Sequence, residues 1–384
     1  MRGILKKDFV YNQLRDDIRS GKMKPHQRLN GEIQLAEDFK VSRVTIRKAL
    51  GCLENDQLIQ RVQGKGTFVA ANCRGVDGCF LAVASEEHTI TQPARYVYPG
   101  IEKRLTESGI RLEHCSIQFI RSLDAGNVCA LFRQNAVQGV FLMGSSYTGK
   151  EPEIAVLKAS RLPVILPCAQ HRDREIVDFA IMHSDDRLVF GDGIRYLASL
   201  GHQRIGAIFR NSHSPTDDLA TCGFRLGDYY EFLKLNGLDS SPVLTKFAEY
   251  SRPHVGMAVR ELMLGPKPPT AIACFSDFYA IHVYDALKEL NIRIPEQVAV
   301  IGRCGYPGGR FLSPSLSTVD VMCENIGRMA AELMLNSDSW FGGKRPVTVI
   351  TPHRVVARES TAATIADIMT GGKVSDGFEM GVRR

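Results

Sequence analysis

From about residue 78 onward, short apolar runs alternate with longer stretches of helical pattern. The runs CFLAVAS, GVFLMG, LPVILPC, RIGAIF, TAIACF and VAVIG are strand-like, and helical segments are expected at 99–108, 151–160, 188–200, 224–236, 253–263 and 277–290. This alternation constrains the fold more than any other feature, because strands and helices in turn argue for parallel, doubly wound α/β sheets. Roughly 280 residues is large for one such sheet and suits two lobes with a cleft between them. In open α/β sheets ligands bind beyond the carboxyl ends of the strands, which makes that cleft the expected ligand site.

At 384 residues and 44% hydrophobic, the chain can bury a sizeable core and hold two or more domains. No apolar run reaches the length of about 18 residues that a membrane span needs, so no membrane association is expected. The opening MRGILKKDFVYNQLRDDIRSG turns charged at once and lacks an apolar stretch with a small-residue cleavage site. A cytoplasmic protein without an export signal is the expectation. The ten cysteines are scattered singly, with no CxxC pair and no His/Cys cluster at zinc spacing, so most read as reduced, buried small hydrophobes. GxSxG, HExxH and GxxxxGK[ST] are all absent. The sequence therefore points to no catalytic residue, no metal ligand and no cofactor, and to a protein that is not an enzyme.

Charge separates the two ends of the chain. Residues 1–70 carry 14 Lys/Arg against 8 Asp/Glu, whereas the remaining residues carry 34 of each. The whole basic excess lies in the first fifth, as expected of a polyanion-binding module attached to a neutral body. Within that fifth, Phe9, Leu14 and Ile18, with Val10 and Tyr11 beside them, recur at helical spacing until Gly21. Pro25 follows in a turn, and HQRLN is expected as a short strand. GEIQLAEDF places Ile33, Leu35, Ala36 and Phe39 mainly on one face of a second helix. Ser42 is a good N-cap for a third, whose buried stripe is Val44, Ile46, Ala49, Leu50 and Leu53. IQRVQGKGTFVA then reads as two strands joined at Gly64–Lys65–Gly66.

Helix, helix, turn, helix and β-hairpin is the layout of a winged helix-turn-helix, an α+β fold. In it the third helix enters the major groove with its N-terminal turn leading. Hydroxyls and backbone N–H groups at that terminus suit phosphate oxygens, and Arg43 and Arg47, one turn apart, can reach bases or phosphates from one side. Lys65 adds charge at the hairpin. The segment 11–70 resembles the DNA-binding domain of the GntR family, above all in VSRVTIRKAL and GKGTFV. The resemblance implies that Ser42, Arg43, Thr45 and Arg47 on the helix and Gln63 and Gly64 on the hairpin contact double-stranded DNA. Ile33 and Val44 depart from it, standing where the family often has arginine and threonine.

The body resembles the effector domain of the LacI/GalR regulators, an α/β two-lobed periplasmic-binding-protein-like fold, from about 78 to 362. GDGIRYLASLGHQRIGAI, PPTAIACFSDFYAIHVYDALKELNIRIPEQVAVIG, SPSLSTVDVMCENIGRMAAELML and HRVVARESTA carry the likeness. A GntR-type head on such a body is the arrangement of arabinose-repressor-like regulators. It implies a head at 1–70, a linker at 71–77, an effector and dimerisation domain at 78–362 and a tail at 363–384. It further implies a repressor that binds a pseudo-palindromic operator as a homodimer and responds to a small effector, a sugar or sugar phosphate. By position the effector contacts would be Cys168, Arg225, Ser276, Asp277 and Arg303.

Here the chain departs from the family. Cys168 stands near a usual aspartate, Ser276 replaces asparagine, and Gly302–Arg303–Cys304–Gly305 replaces GYDD. Two readings follow: Arg225 and Arg303 recognise an anionic effector, or the pocket has drifted and binds a weak ligand or none, the protein then binding DNA without an effector. A neutral pentose or hexose stays open for an altered but working pocket. Arg303 can equally be a surface-loop residue and Asp277 a helix cap. A solute-binding receptor is the remaining alternative, opposed by the basic head.

Overall fold

The computed structural model describes residues 6–19, 22–55, 58–62, 65–70, 78–85, 92–171, 173–211, 225–343 and 346–361. The expected linker 71–77, the tail 363–384 and the individual positions Gly21, Gln63 and Gly64 lie outside the described residues. The chain divides into two compact units.

Three helices open the chain: α1 (Lys6–Arg19), α2 (Glu32–Asp38) and α3 (Arg43–Asn55). The hairpin of β1 (Ile59–Val62) and β2 (Gly66–Val69) follows, antiparallel, with Val62 opposite Gly66. Gly66 has φ +118°, a conformation that favours glycine. Val10, Leu14 and Ile18, four residues apart, form the buried edge of α1 and meet Leu35, Ile46, Ala49, Leu50 and Leu53. Three apolar positions expected inside are outside: Phe9 is 53% exposed, Ile33 59% and Val44 61%. The helical period explains each. Ile33 and Val44 lie two residues before the buried Leu35 and Ile46, more than half a turn away, and Phe9 lies one position off the Val10–Leu14–Ile18 edge. Residues 26–30 form less than a strand: Arg28 makes one isolated bridge to Phe68, flanked by hydrogen bonds from Leu29 to Thr67 and from Val69 to Gln27.

The body proceeds through β3 (Cys79–Ala84), α4 (Ala94–Glu107), β4 (Arg111–Ser116), α5 (Ile117–Ser122), α6 (Ala125–Gln134), β5 (Val137–Leu142), α7 (Pro152–Ser160), β6 (Val164–Leu166), α8 (Asp173–Ile176) and β7 (Ala180–Ser184). It continues with α9 (Asp186–Ser199), β8 (Ile205–Arg210), α10 (Leu226–Leu235), β9 (Thr245–Ala248), α11 (Arg252–Met263), β10 (Ala271–Cys274), α12 (Asp277–Glu289), β11 (Ala299–Cys304), β12 (Ser317–Asp320), α13 (Cys323–Leu335), β13 (Thr348–Thr351) and β14 (Arg354–Val356). Among the described residues these strands form two six-stranded sheets, in the orders β13-β7-β6-β5-β3-β4 and β14-β12-β11-β10-β8-β9. The inner strands of the second sheet run parallel, and β14 closes its edge antiparallel to β12. Its core packs Ile208, Ile272, Val300 and Leu316 against Val255, Val259 and Leu262 of α11 and Val283 and Leu287 of α12.

The chain passes between the sheets at 184–186, where β7 hands over to α9 packed on β11 and β12, and at 351–354, between β13 and β14. The Ser184 and Thr351 hydroxyls, 2.9 Å apart, tie these two crossings together. After β12 the chain turns at Met322 into α13, which crosses α4 at a glycine pair. A Cβ on Gly100 would lie 1.9 Å from the Glu324 carbonyl oxygen, and one on Gly327 would lie 2.0 Å from that of Val97. Glycine at both positions is what lets the two helix backbones touch.

Candidate functional site

In the head, Ser42 precedes α3 and its Oγ accepts the Thr45 backbone N–H at 3.2 Å while bonding the Thr45 hydroxyl at 2.8 Å. The cap expected at Ser42 is thus made, and one orphan N–H of the helix is satisfied. Arg43 is exposed on the first turn, and Arg47 is exposed one turn later. Arg47 also has an internal partner: its Nη2 donates to Glu32 at 2.8 Å and its Nε at 3.3 Å. This hydrogen bond, against the opposing effect of burial, holds the Glu32 carboxyl below its usual range. Arg61 of β1 pairs with Glu54 at 3.2 Å and donates to the Arg47 carbonyl at 3.4 Å. Lys65 is exposed at the hairpin turn, its N–H bonded to Val62 at 3.0 Å. Glu32 and Arg61 were not singled out from sequence, since Glu32 meets Arg47 fifteen residues away and no local period joins them.

In the body, the carboxyl ends of β8, β10 and β11 lie side by side. Ser276 and Asp277, just past β10, are buried. Asp277 caps no helix through its side chain; Ser276 occupies the N-cap of α12, without a side-chain cap bond. Both Asp277 oxygens point inward, Oδ1 accepting the Thr318 hydroxyl and Oδ2 the Tyr306 N–H, each at 2.6 Å. Burial pushes this carboxyl up to about 7, with those two hydrogen bonds pulling against it. Asp277 therefore knots β10, β12 and the turn after β11.

Arg303, at the end of β11, is 8% exposed and so is no surface-loop residue. Its guanidinium lies 5.1 Å from the Phe275 ring centroid, and its Nη1 is 3.4 Å from Asp186 at the start of α9. Burial raises the Asp186 carboxyl above its usual range, opposed by Arg303 and His183. Arg210, at the end of β8, lies over the same Phe275 ring at 5.7 Å. Cys304 adopts φ +95° and is buried, and Cys168 beyond β6 has its thiol pushed up to about 12 by burial. The neighbouring Cys304 and Cys168 add to the burial that raises Cys323. These thiols are protonated at neutral pH and present apolar surface rather than nucleophiles. Tyr96 of α4 lies 4.4 Å from Tyr306, which in turn lies 5.0 Å from Phe278. Arg225 is placed differently: it stands exposed at the N-cap of α10, its carbonyl accepting from Tyr229.

Among the described residues, no group of three or more His, Cys, Asp and Glu side chains could hold a metal ion. No helix of those residues is long and apolar enough to cross a membrane.

Comparison with known proteins bears on both regions. Residues 6–69 match the model of bacterial regulatory proteins of the gntR family, and residues 194–361 match that of the periplasmic binding protein-like domain. The chain is a GntR-type helix-turn-helix head on a periplasmic-binding-protein-like body. It is similar along its length to the arabinose metabolism transcriptional repressor of Geobacillus stearothermophilus, 24% identical over 91% of this chain and 97% of that one. The protein of the same description from Halalkalibacterium halodurans is 25% identical, over 93% and 96%. Among solved structures, the fold is shared with a transcriptional regulator CelR–cellobiose complex, with a TM-score of 0.56 at 20% identity over 84% of this chain and 92% of that one. The GntR-type head thus accounts for α1 to β2, and the periplasmic-binding-protein-like body for the pair of parallel sheets.

Proposed function

We propose that this protein is a transcriptional repressor whose hold on operator DNA is set by a small molecule, a sugar or sugar derivative, bound at the strand ends of the body. The observation that carries the reading is the start of α3. A capped helix presents Ser42, Arg43 and Arg47 to solvent, in the part of the chain that holds the entire basic excess. Such a terminus offers N–H groups and guanidinium donors to phosphates and base edges together. The β1–β2 hairpin acts as a wing, with Lys65, Gln63 and Gly64 on the flanking backbone. The Glu32 carboxylate holds Arg47 extended before DNA arrives, so part of the ordering cost of that long side chain is met in the free protein. Two copies joined through the body place two heads on the half-sites of a pseudo-palindrome. The body, from 78 to 362, takes the effector, and the linker 71–77 carries the change to the head. The repressor acts where the DNA is, in the cytoplasm.

The two repressors similar along the whole chain support this reading over that of an effector-independent DNA-binding protein or a solute receptor. Fluorescence anisotropy of the purified protein on DNA from upstream of its own gene tests it, with and without a panel of sugars and sugar derivatives. Tight, salt-sensitive binding that one compound alters is the expected outcome. Tight binding indifferent to every compound would favour the effector-independent reading, and absence of binding to any genomic site would refute both.

A further inference from the structure

The departures at 302–305 and the strand order together define what the body offers a ligand. In the second sheet β11, β10 and β8 are neighbours and parallel, with Ile301 opposite Ala273 and Cys274 opposite Ile208. Continued past these pairs, the register sets Phe275 between Arg303 of β11 and Phe209 of β8, with Arg210 one residue beyond Phe209. Their guanidinium carbons lie 5.1 Å and 5.7 Å from the one Phe275 centroid. Two cations thus contact one aromatic ring at the carboxyl ends of the strands, where open α/β sheets bind ligands.

Three carboxylates at the strand and helix ends of this sheet are engaged by the protein itself. Asp277 accepts from Thr318 and Tyr306. Asp185 caps α9 through the Leu188 N–H at 3.1 Å, and Asp320 accepts the Met322 N–H at 2.7 Å and pairs with Arg354 at 3.3 Å. A polyol held by carboxylates would compete with these contacts. A guanidinium instead donates in a planar fork that fits carboxylate and phosphate. The Asp186 contact to Arg303, at 3.4 Å, is long for a charge-assisted bond, which closes to about 2.7–2.9 Å.

We infer that the effector is an anion, a small molecule bearing a carboxylate or a phosphate that Arg303 and Arg210 bind beside the Phe275 ring. This deepens the repressor reading and rests on it in taking these strand ends as the effector site. Phe275 supplies a flat apolar surface for the body of the ligand, and the buried Arg303 supplies the anchoring charge.

Thermal shift and isothermal titration of the full chain test it with D-glucose 6-phosphate, D-gluconate, inorganic phosphate and uncharged D-glucose as probes. At least one anion should raise the melting temperature where D-glucose at the same concentration does not. Gluconate against glucose 6-phosphate separates a carboxylate from a phosphate source. Arg210→Gln, at an exposed position that should fold normally, should weaken the responding anion about tenfold, and Arg303→Gln should abolish the response. Equal or tighter binding of D-glucose, unchanged affinity in Arg210→Gln, or silence of every anion would each overturn the inference. DNA anisotropy on the same samples keeps the two readings apart. DNA binding with no anion response refutes the anionic effector alone, whereas an anion response without DNA binding refutes the repressor reading.

Discussion

Individual side chains show how one residue type takes different roles by placement. Asp277 and Glu32 are both carboxylates on helix first turns, yet burial drives one up and an exposed arginine draws the other down. The Asp277 shift has a stability consequence with a definite sign. With a folded-state value of about 7 and an ordinary unfolded value, the native state binds the extra proton between roughly pH 4 and pH 7. Its contribution is therefore fully present below the unfolded value and is lost as the pH rises through the folded one. Asp277→Asn should flatten this fall, and melting temperature against pH for the two proteins measures the difference. Equal slopes would place the loss elsewhere. Arg43 and Arg47 belong to the same scale. Arg43→Ala should weaken operator binding by about 1–3 kcal/mol if it reads a base. Arg47→Ala should cost as much and also release Glu32, so Glu32→Gln should weaken binding less than Arg47→Ala does. Titrations of the three variants on one operator rank these effects, and an unchanged affinity at both arginines would sink the docking.

Elements are positioned by a few contacts that admit no substitute. Replacing a helical glycine by alanine ordinarily stabilises a helix by about 0.5–1 kcal/mol. At Gly327 the added methyl would sit 2.0 Å from the Val97 carbonyl oxygen, so α13 must move away from α4. Overpacking of that kind costs about 1–3 kcal/mol or more, and it wins. Gly327→Ala should lower the urea midpoint, while Gly51→Ala on α3, with nothing within 4 Å of the new methyl, should hold or raise it. A stabilised Gly327→Ala would show that the helices separate at little cost. A second element contact is the fully buried Glu153 of α7, which accepts Arg121 of α5 at 2.7 and 2.8 Å. Arg121→Ala leaves that carboxylate without its fork and should destabilise by about 3 kcal/mol or somewhat less, given the partial exposure of Arg121. Chemical denaturation reads this directly.

For the whole molecule, charge and ligand both act through DNA affinity. With the basic excess confined to residues 1–70, the salt dependence of binding belongs to the head, and Lys65→Ala should reduce the slope of log K against log salt by about one unit. An unchanged slope would place the hairpin away from phosphate. Coupling between effector and DNA is reciprocal, so the factor by which a compound changes operator affinity must equal the factor by which operator DNA changes affinity for the compound. Anisotropy and calorimetry on the same components check that equality.

Sequence alone was enough to place the helices of the head and the strands β3, β5, β6, β8, β10 and β11, because their apolar spacing is a local property set by the 3.6-residue turn and by burial of short runs. The inner strands β7 and β12, AIMHS and STVD, carry too few apolar residues to be read that way. The Ser42 cap was legible for the same reason: it joins residues three apart. Exposure of Phe9, Ile33 and Val44 was not, since neighbouring apolar residues leave the phase of a helix open until its partner is known. The meeting of Arg210, Phe275 and Arg303 depends on strand order β11-β10-β8, which brings together residues far apart in the chain. Likewise, nothing near Gly100 in the chain announces Gly327. Local periodicity determined which segments become helix and strand. Tertiary packing decided which faces they bury, which carboxylates it consumes and which cations stand at the strand ends, because pairing between distant segments follows the free energy of the whole core rather than that of any one stretch.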